Sequence, residues 1–422
     1  MTADTIFALS SGSPPAAVAV IRISGPRADS ALQALSVSLP EARRATLAEL
    51  RFDGELLDNA LVVRFPGPRS ATGEDVVELH LHGGRAVVSA VKAVLARMDG
   101  LRAAEPGEFT RRAFDNGRID LTEAEGLADL LEAETETQRR SALALAGGAL
   151  GRQAAAWKRR LLDLAAEVEA ALDFSDEDDV TPLSRDFPSR LEGLRGELQA
   201  WLARPPAERL KDGLRVVVLG PPNAGKSSLV NALAQRDAAI TSAVPGTTRD
   251  LIEVPVAIGG LPFLLVDTAG LREAVGEIEA IGIERAQASA AAADLLLWLG
   301  PRADAPAGSI AIHPKADLGG SSGDSELAVS ALTGQGMDAL VRTLLARAAA
   351  LLPAAGEVAL NARHRAALGD ASGDLGEASS TTDLLLIAEA LRRARTALDA
   401  VTGDAGVEDM LDALFGRFCI GK

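Results

Sequence analysis

Gly220-Pro221-Pro222-Asn223-Ala224-Gly225-Lys226-Ser227 follows the apolar run Val216-Val217-Val218-Leu219 and opens onto the helix-like segment Ser228-Leu229-Val230-Asn231-Ala232-Leu233. A strand, a glycine-bounded loop, Lys-Ser and a helix in that order make a cradle for a polyphosphate. Glycine at both ends lets the backbone wrap the anion without side-chain clashes. Successive amide N–H groups and the helix N-terminus then point at the negative charge. Asn223, Ala224, Gly225, Lys226, Ser227 and Ser228 are the nucleotide-contacting residues expected here. Lys226 reaches the outer phosphates, as a catalytic cation, and the Ser227 hydroxyl suits Mg²⁺.

Three further stretches follow in the order a GTPase requires. Pro245-Gly246-Thr247-Thr248-Arg249-Asp250 offers a threonine hydroxyl as a second Mg²⁺ ligand. Leu264-Leu265-Val266-Asp267-Thr268-Ala269-Gly270 reads as a buried strand ending in an acid and a glycine. Asp267 would hold the metal through water and the Gly270 N–H would sense the γ-phosphate. Ile310-Ala311-Ile312-His313-Pro314-Lys315-Ala316-Asp317 ends in Lys-x-Asp, where Asp317 accepts from the guanine ring N–H and amino group. Val329-Ser330-Ala331-Leu332 offers a backbone N–H to the guanine oxygen.

Two positions depart from the usual pattern. Proline 314 stands where Asn-Lys-x-Asp has asparagine. It supplies neither a side-chain amide nor a backbone donor, so a link between base pocket and phosphate loop is missing. Leu271 stands where Ras-like GTPases place the glutamine that orients the attacking water. Asn223 is then a candidate ligand for a monovalent cation, and Glu279 a candidate for orienting water, although composition alone makes Glu279 a solvated helix residue. The connection from Trp298 to Ser309 is too short and proline-rich for an intervening helix, and Trp298 reads as core.

The elements that must position these residues belong to a chain of 422 residues, too long for one core. A net charge of −16 argues against coating nucleic acid by bulk electrostatics. The first 118 residues or so are nearly balanced, so the acidity lies in the remainder. One cysteine excludes an intrachain disulfide framework and suits a reducing cytosol. No apolar run approaches a membrane span, and Met1-Thr2-Ala3-Asp4-Thr5 lacks a signal-peptide start, so a cytoplasmic protein is expected.

Residues 1–118 alternate strand and helix signals, with β-rich Ala16 to Ile23 and Val76 to Leu81, then a helix over Val87 to Met98 closed by Gly100. From Ile119 long Ala/Leu/Glu/Arg segments predict helices to about Asp173, with Gly147-Gly148 a break, and again to about Ala203. Thr122-Glu123-Ala124-Glu125 is a capping-box sequence, and Asp120 with Glu123 competes as the start. Residues 359–415 have the same helical texture. The fold class expected is multidomain α/β: an α+β domain at 1–118, a discontinuous helical domain at 119–213 and 350–422, and an inserted P-loop GTPase domain at 214–349.

Matching segments along nearly the whole chain resemble the MnmE (TrmE) family of tRNA modification GTPases. They are Asp4-Thr5-Ile6, Arg22-Ile23-Ser24-Gly25-Pro26, Thr72-Gly73-Glu74-Asp75, Pro106 to Phe114, Asp120 to Glu125, the phosphate loop, Asp267 to Arg272, and Cys419-Ile420-Gly421-Lys422. The two ends discriminate most, because generic GTPases lack them. The resemblance implies a homodimer through N-terminal domains that bind a 5-formyltetrahydrofolate-type folate. It implies GTPase domains that dimerise across the nucleotide with K⁺, and installation of an aminomethyl or carboxymethylaminomethyl group at C5 of the tRNA wobble uridine together with the FAD-dependent partner MnmG. Carried over by motif, Arg22, Glu78, Arg118 and Lys422 fall on the folate site, with Arg118 where relatives often have lysine. Asn223, Ser242, Val244 and Thr247 fall on the potassium loop, Ser227 and Thr248 on Mg²⁺, and Glu279 on the water-orienting glutamate. The tail would bring Cys419 to the folate pocket as nucleophile or general base, whereas a lone cysteine is otherwise a small buried hydrophobe. His80 and His82, on one strand face, read as structural. The competing readings are a GTP-switched ribosome or RNA assembly factor, which would carry a basic appendage, and a free-standing one-carbon transferase.

Overall fold

In the computed structural model the described residues are 4–173, 183–236, 252–267, 288–319, 325–354, 356–404 and 408–421. They fall into two compact units, residues 1–128 with 402–422, and residues 129–401.

The first unit is built on a six-stranded sheet: β1 (Thr5–Leu9), β2 (Val18–Ser24), β3 (Thr46–Phe52), β4 (Glu55–Phe65), β5 (Val76–His82) and β6 (Leu101–Ala103). They are ordered β3-β4-β5-β2-β1-β6, and only the β1–β6 pair is parallel. Alternation decides which face each side chain takes. Ile21 lies opposite Leu79 and both are buried, so their neighbours Arg22 and Glu78 meet on the other face. Two helices, α1 (Ala28–Ala34) and α2 (Arg85–Ala96), cover the apolar face, α2 burying Val88, Val91, Val94 and Leu95. Helix α2 stops at Ala96, short of the expected end, and Gly100 instead makes the left-handed turn (φ 77°) into β6. Helix α3 (Glu108–Asp115) follows.

Helix α4 (Leu121–Glu132) is started by Asp120 rather than Thr122. The Asp120 carboxylate accepts from Glu123 N at 2.8 Å, and Glu123 Oε2 accepts from Asp120 N at 2.8 Å. Thr122 is consumed by a bond to Asp120 Oδ1. A terminal helix, which we label α13 (Glu408–Phe415), packs Leu411 and Phe415 with Phe418 on Leu121 and Ala124.

In the second unit, α5 (Glu136–Ala146), α6 (Ala149–Asp173), α7 (Phe187–Leu202) and the short α8 (Ala207–Lys211) precede a sheet. Gly147 and Gly148 separate α5 from α6. After the sheet come α11 (Ala362–Ser379) and α12 (Leu384–Thr402). Trp157, Leu161, Leu191, Leu198, Leu368 and Leu391 join α6, α7, α11 and α12 in one core, drawn from both sides of the inserted sheet.

That sheet consists of β7 (Leu214–Leu219), β8 (Ile252–Ile258), β9 (Leu261–Asp267), β10 (Leu295–Leu299), β11 (Ile310–Pro314) and β12 (Leu327–Val329), ordered β12-β11-β10-β7-β9-β8. It is parallel except for β8. Helices α9 (Lys226–Arg236) and α10 (Met337–Ala349) bury Leu229, Leu233, Leu340 and Leu344 on the side chains of its inner strands. Residues 300–309 hold a single 3₁₀ turn, Arg302–Asp304. Trp298 is not core: it is half-buried, donates from Nε1 to Pro301 O at 2.9 Å, and lies beside Gly300, which Pro221 of the phosphate loop also approaches.

Candidate functional site

The loop between β7 and α9 has the backbone that a phosphate cradle needs. Gly220 (φ 150°) and Gly225 (φ 97°) take conformations that suit glycine. A Cβ on Gly220 would stand 2.5 Å from Leu299 O, so the loop leaves the sheet only where no side chain is present. Asn223 is left-handed (φ 59°), a conformation that asparagine tolerates better than most residues. It is exposed, as are Ser227 and Ser228. Lys226 is 6% exposed and folds back over the loop, donating from Nζ to Gly220 O (3.1 Å) and Pro221 O (3.0 Å). Asp267, 5% exposed, ends β9 directly opposite Val218 on β7. An exposed hydroxyl at the start of α9 and a buried carboxylate at the end of β9 are the oxygen donors that a hard cation takes.

The other end of the site is assembled from two strand ends. Pro314 pairs with Val329 across β11 and β12. Lys315 is left-handed (φ 56°) and its carbonyl accepts from Leu318 N at 3.0 Å, closing a tight turn that carries Asp317. Ser330 is 1% exposed, its N–H donates to Gln335 O (2.9 Å), and its Oγ accepts from Thr333 N (3.2 Å). These stretches are far apart in sequence, yet Ala224, Gly225, Ser228, Pro314, Lys315, Asp317, Ser330 and Ala331 line one cavity of about 340 Å³. The expected contacts at Ser242, Ala243, Val244, Pro245, Gly246, Thr247, Thr248, Thr268, Ala269, Gly270 and Glu279, and Lys422 of the tail, lie outside the described residues.

In the first unit, Arg22 donates from Nε (3.0 Å) and Nη2 (2.9 Å) to Glu78 Oε1. The guanidinium carbon lies 5.6 Å from the centroid of the Phe109 ring. Glu78 Oε2 is 3.3 Å from His80 Nε2, while His82 pairs with Asp58 at 2.7 Å. Both histidines are therefore engaged by carboxylates of the sheet. Arg118 donates from Nε to Ser70 O at 3.2 Å and makes no bond to the Arg22–Glu78 pair.

The tail is fixed nearby. Ile420 forms an antiparallel bridge with Pro106, three residues before Phe109. Gly421 (φ 103°) packs so closely that a Cβ there would lie 2.1 Å from Leu9 O. Cys419 is exposed, contrary to the usual burial of a lone cysteine. Phe109 and Leu9, which receive Arg22 and the tail, were not evident from sequence.

Behind this site lies an ion network that also escaped the sequence reading. Arg112, 4% exposed, bonds Asp4, Glu74 and Glu108, and Arg102 bonds Asp4 and Glu108. Burial pushes the Asp4 and Glu108 carboxyls up, but hydrogen bonds from Arg102, together with Arg112, hold both below their ordinary values. The i, i+4 spacing of Glu108 and Arg112 is the sequence signal that could have revealed it.

Comparison with known proteins places these features in one family. Residues 5–118 match the model of the GTP-binding protein TrmE N-terminus, and residues 121–419 match the MnmE helical domain. The chain is 60% identical to the tRNA modification GTPase MnmE of Rhizorhabdus wittichii over 99% of its own length and 97% of that protein. It is 58% identical to the MnmE of Erythrobacter litoralis, over 99% of this chain and 100% of that one. With the MnmE of Novosphingobium aromaticivorans it shares 57% identity, again over 99% and 100%.

Proposed function

The chain belongs to the MnmE family of tRNA modification GTPases, and from that premise we propose that it couples GTP hydrolysis to a one-carbon-derived modification at C5 of the tRNA wobble uridine. It is a GTP-hydrolysing enzyme of tRNA modification. The observation that carries the reading is the single cavity lined by phosphate-loop residues Ala224, Gly225 and Ser228 together with base-reading candidates Lys315, Asp317 and Ser330.

Beside this cavity, Lys226 would neutralise charge on the outer phosphates, and Ser227, Thr248 and Asp267 would hold Mg²⁺, which would supply further neutralisation of the charge that builds during hydrolysis. Asn223, with Ser242, Val244 and Thr247, would hold K⁺, a fixed positive charge at the place where an arginine finger acts in other GTPases. Glu279 orients the attacking water. Pairing of two GTPase domains completes the cation site, so hydrolysis and association are linked.

Residues 1–118 take the folate and the contact between two copies of the chain, 119–213 with 350–422 form the helical arm, and 214–349 the GTPase domain. Arg22 and Glu78 form a donor–acceptor pair suited to the polar edge of a pterin. Arg118 and Lys422 answer the folate carboxylates, and Cys419 supplies a thiol beside them. Leu47 and Leu61, paired across β3 and β4 and exposed at 71% and 47%, give the sheet an apolar outer edge on which a second copy can close. The partner is the FAD-dependent MnmG.

Reconstitution tests this reading. The purified chain, MnmG, GTP, a reduced folate, an amine (ammonium or glycine) and unmodified tRNA should yield an aminomethyl-type adduct at C5 of the wobble uridine, and omission of GTP should abolish it. GTP-independent product, or none with all components present, overturns the proposal.

A further inference from the structure

Pro314 removes the side chain that ordinarily ties the base loop to the phosphate loop. Among the described residues, no hydrogen bond joins Pro314, Lys315, Asp317, Ser330 or Ala331 to Asn223, Ala224, Gly225 or Ser228. The base loop holds its shape by itself, through the Leu318–Lys315 turn and the Ser330–Gln335 bond. Another contact must then hold a purine where the asparagine side chain is missing.

Two large apolar side chains at the rim of the same cavity are candidates. Leu318 is 75% exposed and Leu332 is 88% exposed, and both line the cavity. One exposed leucine needs no explanation. Two on separate loops line one cavity whose remaining wall is mixed. Leu299, Ile312, Pro314 and Val329 form its apolar part and Ser228, Lys315, Asp317 and Ser330 its polar part, so the two leucines offer apolar surface beside the polar groups. A flat heteroaromatic ring covers such surface without needing hydrogen bonds, so it is held by ring shape rather than by its edge.

We propose that Leu318 and Leu332 are purine-binding residues that clamp the ring in place of the missing polar tether, leaving discrimination of the guanine edge to Asp317 and the Ser330-Ala331 backbone. This rests on the nucleotide-binding reading above and deepens it. Binding energy is then divided in two. The clamp holds GDP, IDP and ADP alike, while Asp317 discriminates among them by their ring N–H and amino donors.

The full chain and its variants are titrated calorimetrically with GDP, IDP and ADP. Leu318→Ser and Leu332→Ser, both at exposed positions that leave the core intact, should each weaken all three nucleotides by a similar factor of about ten. Asp317→Ala should instead weaken GDP most and collapse the preference for GDP over ADP. Pro314→Asn restores a tether, so adding Leu332→Ser to it should cost several-fold less than in the wild-type background. If wild type binds GDP but the leucine variants match it within about twofold, or lose only GDP, the clamp is wrong and the site survives. If wild type binds no guanine nucleotide, the site itself is misassigned and the clamp falls with it.

Discussion

Arg22 on β2 and Glu78 on β5 face each other across the sheet, the guanidinium giving two hydrogen bonds to one carboxylate oxygen. The pair is partly exposed, at 24% and 17% of the side chains, so it contributes little to stability. Oε1 of Glu78 is taken by Arg22 and Oε2 lies 3.3 Å from His80 Nε2, so a ligand would share the carboxylate with these groups or displace the imidazole. Arg22→Ala should therefore weaken 5-formyltetrahydrofolate binding more than about tenfold while destabilising the protein by no more than about 1 kcal/mol. Folate calorimetry and denaturant titration read the two effects separately. Unchanged folate affinity would return the pair to a structural role.

The Arg112 network should behave in the opposite way. Removing Arg112 leaves Asp4, Glu74 and Glu108 crowded together, and Arg112→Met should cost about 3–5 kcal/mol locally. Asp4 and Glu108 bind protons less readily folded than unfolded, because burial, which acts to raise both, is outweighed by Arg102 and Arg112. Their contribution is thus whole above the ordinary glutamate value of 4.5 and is lost as pH falls through the lowered folded values. Hydrogen exchange of β1 and α3 amides should show protection constant from pH 7 to about 4.5 and declining below, with a flatter profile in Arg112→Met. Equal slopes in both proteins would contradict this.

Potassium dependence is the sharpest test of the phosphate loop. Asn223 is exposed and left-handed, so its side chain is free of the core. GTP hydrolysis should run much faster in KCl than in NaCl. Asn223→Ala should bring the two rates together, after a local strain of about 1–2 kcal/mol for alanine in that conformation. Equal wild-type rates in the two salts would remove the cation from the mechanism.

Glu279→Ala separates binding from chemistry. GTP affinity should persist, because the glutamate acts on water rather than on the nucleotide, whereas turnover should fall by about 10²–10⁴-fold. Single-turnover hydrolysis measures this. Undiminished turnover would restore the solvated-helix reading of that residue.

How much of this could be read in the sequence depends on how local the physics is. The phosphate loop is continuous, its glycines set by backbone geometry, so Gly220 to Ser227 declared itself. The helices on either side of the inserted sheet share a helical texture in sequence, but that Trp157, Leu198, Leu368 and Leu391 form one core emerged only from the packing. Trp298 was misread because an apolar strand residue next to a short connection can end at a loop instead of the core. Choosing Asp120 over Thr122 as the start of α4 needed the side-chain bonds themselves, since both sequences satisfy the capping pattern. The meeting of Arg22 with Phe109 and of Gly421 with Leu9, and the placing of Leu318 and Leu332 on one cavity, depend on tertiary packing between distant segments, and no local spacing encodes them.

Gly421 offers the last test, because it fastens the tail that bears Cys419. A Cβ there would stand 2.1 Å from the backbone carbonyl of Leu9, which cannot swing away as a flexible side chain does. Gly421→Ala must displace the tail from β1, and Cys419 with it. Gly54, also left-handed (φ 84°) but with nothing within 4 Å, provides the control: Gly54→Ala bears the strain of the conformation without the collision. Folate affinity and reconstituted tRNA modification should fall about tenfold or more in Gly421→Ala and stay within about twofold of wild type in Gly54→Ala. GTP hydrolysis should be the same in both, since neither glycine belongs to the unit that holds the phosphate loop. If Gly421→Ala modifies tRNA at the wild-type rate, the tail's seating against Leu9 has no part in the chemistry.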